Sequence, residues 1–160
     1  MTTDADLSLN PQTDLQFTRS LPIPPETVWA CWTTPEHLKR FFVPRPNAVT
    51  ACDIDLRVGG RFNTTFDVGG TEMVNHGVFL EIVPNRRLVF TDAYEEGWKP
   101  VPEPFMTAII EMEPEGEGGT RYTATARHRN VETATQHKQM GFFDGWGTVV
   151  DQLVEYGRTL

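Results

Sequence analysis

Four histidines (His37, His76, His128, His137) and two cysteines (Cys31, Cys52) are the residues best suited to proton transfer, nucleophilic attack or metal ligation. No Cys or His set among them has the spacing of a zinc site. Gly-x-Ser-x-Gly and a dinucleotide fingerprint are absent, and Gly116 to Gly119 lacks the Lys-Ser/Thr ending of a phosphate-binding loop. Acid–base chemistry therefore narrows to His128. It ends an alternating row, Tyr122, Ala124, Ala126, His128, opposite Arg121, Thr123, Thr125 and Arg127. Glu81 and Asp92 are its candidate carboxylate partners by strand reading. Two of them also have a plain structural reading: capping by backbone or a neighbouring acid for His128, and an arginine on a neighbouring strand for Glu81; Asp92 shares the alternation of Leu88 and Phe90 and is expected to look inward at the cavity rim. His37 and His137 fall on helical segments and are expected to be solvated. Cys31, beside Trp29 and Trp32, reads as a small buried hydrophobe. No catalytic residues, metal or cofactor are assigned.

These residues must be positioned by a terminal helix and by strands. From Asn130 to Leu160, apolar residues recur at Phe142, Phe143, Trp146, Val149, Val150, Leu153, Tyr156 and Leu160, the stripe of an amphipathic helix. Asn130 is its expected N-cap. Gly141, Gly145, Gly147 and Gly157 imply close approach or open space, and Gly141 is where a break would fall. Residues 15–20 predict a first strand. Two short helices follow, Glu26 to Trp32 and then Thr34-Pro35-Glu36 to about Phe42. From residue 50 the period becomes 2: Cys52, Ile54, Leu56 and Val58 share a face, and strands are predicted at 61–66, 72–83, 87–93, 106–113 and 122–128. Hairpin connections predict antiparallel pairing, and one sheet closed over one helix gives an α+β domain. Residues 1–13 read as a flexible segment and 14–160 as one domain.

The alanines of the inward row and the helix glycines leave room between sheet and helix, which predicts a cavity. Trp32, Phe62, Phe66, Ala124, Ala126, His128 and Trp146 are its expected lining, with Glu81 and Asp92 as polar members. The aromatic side chains filling that space completely is the competing reading. Residues 94–105 combine Tyr94, Trp98, Val101 and Phe105 with three prolines. Trp98 is placed in the ligand set because this loop could close the cavity; a partner surface or a loop packed on the sheet edge remain alternatives.

A chain of 160 residues with 39% hydrophobic content suits a single soluble domain. A net charge of −8 argues against nucleic acid or an anionic membrane as partner. No apolar run approaches the ~20 residues of a membrane span. The start lacks the basic end and apolar core of a secretory signal, and two cysteines make no disulfide framework, so a cytoplasmic location is expected.

Val28-Trp29-Ala30-Cys31-Trp32-Thr33-Thr34-Pro35-Glu36-His37-Leu38 resembles the opening of the activator-of-heat-shock-protein-ninety-ATPase homologue family. Asp55 to Phe62, Gly77 to Ile82 with Pro84, Arg87 to Thr91, Gly145-Trp146 and Asp151 to Leu153 are similar to it in order. The resemblance implies the SRPBCC, or START/birch-pollen-allergen, superfamily and its helix-grip fold, a curved antiparallel sheet around a long C-terminal helix. It also implies binding of a small hydrophobic molecule. Non-enzymatic binding is the expected function. A cyclase or dehydratase acting on a polyketide-like substrate and a chaperone-activator-like interaction module are the alternatives. A homodimer stays open.

Overall fold

The computed structural model describes residues 8–160, so the part of the expected flexible segment before Ser8 lies outside the described residues. The elements run β1 (Asp14–Leu21), α1 (Pro25–Thr33), α2 (Pro35–Leu38), β2 (Ala48–Ile54), β3 (Phe62–Val68), β4 (Thr71–Asn75), β5 (Val78–Val83) and β6 (Arg87–Thr91). Then come β7 (Tyr94–Glu95), β8 (Lys99–Pro100), β9 (Thr107–Glu115), β10 (Gly119–Arg127), α3 (Val131–Gln139) and α4 (Phe142–Gly157). The result is an α+β fold: a curved antiparallel sheet packed on a C-terminal helix.

Five strands are ordered β1-β10-β9-β6-β5 and three are ordered β2-β3-β4, all antiparallel. Backbone bonds from Gly59 N to Phe79 O, Phe79 N to Gly60 O and Phe62 N to Gly77 O join the two groups into one surface. Register shifts at Val49/Ala51 and Phe79/Glu81 bend β2 and β5, as bulges do. The concave face buries Phe62, Phe79, Leu88, Phe90, Ala108, Ile110, Met112, Tyr122 and Ala124. α4 covers them with Val149, Val150 and Leu153, and α1 adds Val28 and Trp32.

Several boundaries differ from the sequence expectation. The terminal helix is two helices, because Gly141 adopts φ 93° between α3 and α4, a backbone region that favours glycine. Asn130 caps α3, its side chain accepting from Thr133 N at 2.8 Å. β2 ends at Ile54; Leu56 and Val58 fall in a turn and are exposed. The expected strand over 72–83 is two strands, β4 and β5, lying in different groups. The corner is at Gly77, where a Cβ would stand 2.6 Å from Thr91 O. Two glycines of α4 admit side chains rather than another backbone, Arg19 at Gly147 (Nη2 2.6 Å from where a Cβ would be) and Ile23 at Gly157, while Gly145 faces open space. Arg19 reaches across to Asp151 at 2.9 Å.

Candidate functional site

The interior between sheet and α4 is built largely from aromatic rings. Trp32, fully buried on α1, lies 5.3 Å from both Phe41 and Phe42 and 5.8 Å from Phe90, measured between ring centroids. Phe62 stacks on Phe79 at 5.2 Å and meets Phe90 edge-on at 4.6 Å. Phe66 reaches the same group through Phe42. Trp32, Phe62, Phe66 and Ala124 therefore belong to one continuous apolar region. The space over Ala126 is taken by Leu15 and Phe142, with Phe17, Met106 and half-buried Trp146 packed alongside. Trp146 joins the two groups of side chains.

Two polar atoms in this interior lack a partner. Trp32 Nε1 and Tyr122 Oη are both buried, and among the described residues neither makes a hydrogen bond of good geometry, the two lying beside each other. Burial pushes the Tyr122 phenol pKa up, and the nearby Trp32 N–H opposes that rise without forming a bond of acceptable geometry. An orphaned buried hydroxyl or N–H costs roughly 1–3 kcal/mol, so such atoms stand out in a folded protein. Arg87 Nε is also without a strict hydrogen bond, but it lies 3.5 Å from the Glu111 carboxylate and is a different case.

The inward row of β10 ends at a pair of histidines. His128 Nδ1 lies 2.8 Å from Thr13 O, and His128 Nε2 lies 2.8 Å from His137 Nδ1. A carbonyl only accepts, so His128 carries its proton on Nδ1 and, when neutral, accepts at Nε2 from His137. Phe105, Phe142 and Trp146 surround the His137 ring at 4.6, 5.1 and 6.2 Å between centroids. Burial, and secondarily the His128 charge, lowers the His137 pKa to about 4. The expectation of a solvated His137 is thus corrected: it is buried, on the face of α3 that carries Thr133 and Ala134. That three-and-four spacing was the available signal. His37 is also engaged, with Nδ1 2.6 Å from Tyr156 Oη.

Neither candidate carboxylate partner meets His128. Arg87 Nη1 donates to Glu81 at 2.7 Å, the plain structural alternative for that residue. Asp92 accepts from Phe105 N at 2.8 Å and Met106 N at 3.0 Å, fastening the end of the loop. Trp98 is half exposed. It packs on the Gly59 turn, where a Cβ would come within 2.7 Å of its ring, so it lies away from the row that ends at His128. Among the described residues no group of three or more His, Cys, Asp or Glu could hold a metal ion, and no helix is long and apolar enough to cross a membrane. What the interior offers chemically is an indole N–H and a phenol O–H side by side in an aromatic wall, neither with a well-formed hydrogen bond among the described residues. Tyr122 was legible as the start of the inward row, but nothing in its spacing revealed that its hydroxyl would lack a partner.

No curated protein matches the chain. Among solved structures, a protein of Nitrosomonas europaea is 39% identical over 94% of this chain and 97% of its own, with a TM-score of 0.91. An AHSA1-like protein from Aeromonas hydrophila is 21% identical over 91% of this chain and 93% of its own (TM-score 0.66). CalU16 from Micromonospora echinospora is 20% identical over 90% and 75% (TM-score 0.60). These last two share the fold. The family model described as Activator of Hsp90 ATPase homolog 1-like protein matches residues 22–158. That match takes in α1 with Trp32, every strand after β1, and both C-terminal helices, and by it the chain belongs to the Activator of Hsp90 ATPase homolog 1-like family.

Proposed function

We propose that the protein binds a small, neutral, largely apolar molecule between the sheet and α4, without transforming it. The observation that carries this reading is that two buried donors, Trp32 Nε1 and Tyr122 Oη, make no well-formed hydrogen bond among the described residues. An indole N–H can only donate, so the matching ligand atom is an acceptor such as a carbonyl or ether oxygen. The surrounding rings disfavour a charge, which would lose its hydration on entry. The apolar body would replace side chains that now close the end near Trp146 and Met106, both incompletely buried. Two free thiols, Cys31 buried and Cys52 half-buried, suit a reducing, cytoplasmic setting.

Quenching of tryptophan fluorescence by 2-acetylnaphthalene tests the anchor, with 2-ethylnaphthalene as the analogue lacking oxygen. The ketone should bind the wild type saturably, and Tyr122→Phe should weaken it about tenfold while leaving the hydrocarbon unchanged. Equal binding of ketone and hydrocarbon by the wild type would sink the anchor. Turnover of a candidate substrate that disappears in His137→Gln, with binding intact, would replace carriage by catalysis.

A second reading rests on the exposed apolar side chains Leu56, Val58, Tyr94 and Trp98 around the Gly59 turn. They would form a contact surface for a chaperone ATPase. Stimulation of a purified bacterial Hsp90 homologue that Trp98→Ala abolishes would support it; no stimulation by the wild type would dismiss it.

A further inference from the structure

The C-terminal end of α4 and the segment after α2 border an open concavity of about 390 Å³ on the outside of the domain, separate from the aromatic interior. Its walls carry three cations, Lys39, Arg40 and Arg45, and one carboxylate, Glu155. In a chain of net charge −8 that is a local reversal of sign. The carboxylate is already engaged, Arg45 Nη2 lying 3.0 Å from Glu155. Among the described residues, Lys39 and Arg40 have no acidic side chain within ion-pair distance. Arg40 instead rests over the Tyr156 ring at 6.0 Å, a contact that holds a guanidinium without using its N–H donors.

The concavity is also fixed in shape. Gln152, buried on α4, accepts from Arg45 N at 2.9 Å and donates to Phe41 O at 3.0 Å and Val43 O at 2.8 Å. His37 holds the Tyr156 hydroxyl. The segment bearing the cations is thereby fastened to the helix before any ligand arrives, which lowers the ordering cost of binding. Val43 and Ala48 add apolar surface.

We infer that this concavity binds a small organic anion, a carboxylate or phosphate monoester, with its charge toward Lys39 and Arg40 and its apolar body against Val43 and Ala48. The site shares no residue with the Trp32–Tyr122 anchor, so either can fail without the other. Charge-assisted hydrogen bonds from ammonium and guanidinium groups are the strong kind, and the lone carboxylate in the wall opposes them.

Two-dimensional amide NMR of the full chain tests this with benzoate, phenyl phosphate and neutral benzyl alcohol as probes. Benzoate or phenyl phosphate should shift the Arg45, Asn47 and Thr159 amides saturably, with Kd of about 1 mM or tighter. Which anion binds the more tightly separates the two sources. The paired substitution Lys39→Gln with Arg40→Gln, both exposed, should weaken binding about tenfold or more, and Glu155→Gln should strengthen it. No saturable shift with either anion, equal response to benzyl alcohol, or binding unchanged in the double variant would overturn the assignment.

Discussion

Gln152 and Trp32 are both buried beside the same helix layer, yet their polar atoms fare in opposite ways. The Gln152 amide uses its oxygen and both its N–H groups, on three separate backbone atoms. Thr120 Oγ1 donates to Ile23 O at 2.6 Å, and the two histidines satisfy each other and Thr13. Around Trp32 and Tyr122, which have only each other nearby, nothing equivalent is provided among the described residues. A fold able to pair polar groups across 111 residues of sequence, as Gln152 does with Phe41, is not short of partners. Natural proteins concentrate such locally unfavourable choices at functional sites, which is why the ligand proposed above is placed against these two groups.

The largest way to break this comparison is Gln152→Leu. Each orphaned buried group costs roughly 1–3 kcal/mol, and three backbone atoms would lose their partner, so denaturant unfolding should register a loss of about 3 kcal/mol or more. A loss below about 1 kcal/mol would mean that water replaces the amide and that pairing on this side of the helix matters little.

Next in size is the effect of pH on the histidine pair. His137 titrates at about 4 in the folded protein, against 6.5 ordinarily. The unfolded chain therefore takes up this proton first, and the associated stability is lost as pH falls from about 6.5 toward 4. At about 1.4 kcal/mol per pKa unit, the loss approaches about 2–3 kcal/mol. Unfolding measured at pH 7, 5.5 and 4.5 should show a steeper decline for wild type than for His137→Leu; parallel curves would disprove the buried neutral histidine.

Tyr122→Phe should run the other way. Removing a buried hydroxyl that has no partner should stabilise the empty protein by about 1 kcal/mol, while weakening the ketone. Destabilisation by ~1–3 kcal/mol would show that the hydroxyl is satisfied within the fold. The smallest effect is expected at the surface, where Glu96 meets Arg57 at 3.8 Å and Arg61 at 3.4 Å. Glu96→Gln should shift stability by no more than about 0.5 kcal/mol, since exposed pairs contribute little.

The fold was largely legible because it rests on periodicity. The alternation of Tyr122 through His128 and the spacing of Val149, Val150 and Leu153 correctly foretold a sheet face and a helix face that meet. Breaks were harder to read. Gly141 and Gly77 interrupt patterns that run on in apolar content, and only backbone conformation or the closeness of Thr91 O decides that the chain turns there. The candidate site was legible as a surface but not as chemistry. Trp32, Phe62, Phe66, Ala124, Ala126 and Trp146 share an interior through properties of single strands and helices. The partners of Glu81, Asp92 and His128 depend on where distant segments land, and His137 and Tyr122 gained their interest in the same way.

The pairing of β1 with β10 also has a consequence in time. Gln16 Nε2 meets Thr125 Oγ1 across 109 residues of sequence, so β1, the first strand among the described residues, is made long before β10, the neighbour it pairs with there. At roughly 5–20 residues per second of synthesis, β1 waits roughly 5–20 seconds for that neighbour to be made. Such distant pairings also slow folding after release. During the interval Leu15, Phe17 and Leu21 are a ready strand without a sheet, interrupted by Gln16, Thr18, Arg19 and Ser20. Such polar residues, with a charge at Arg19, are the kind that blunts a strand edge against pairing with another chain.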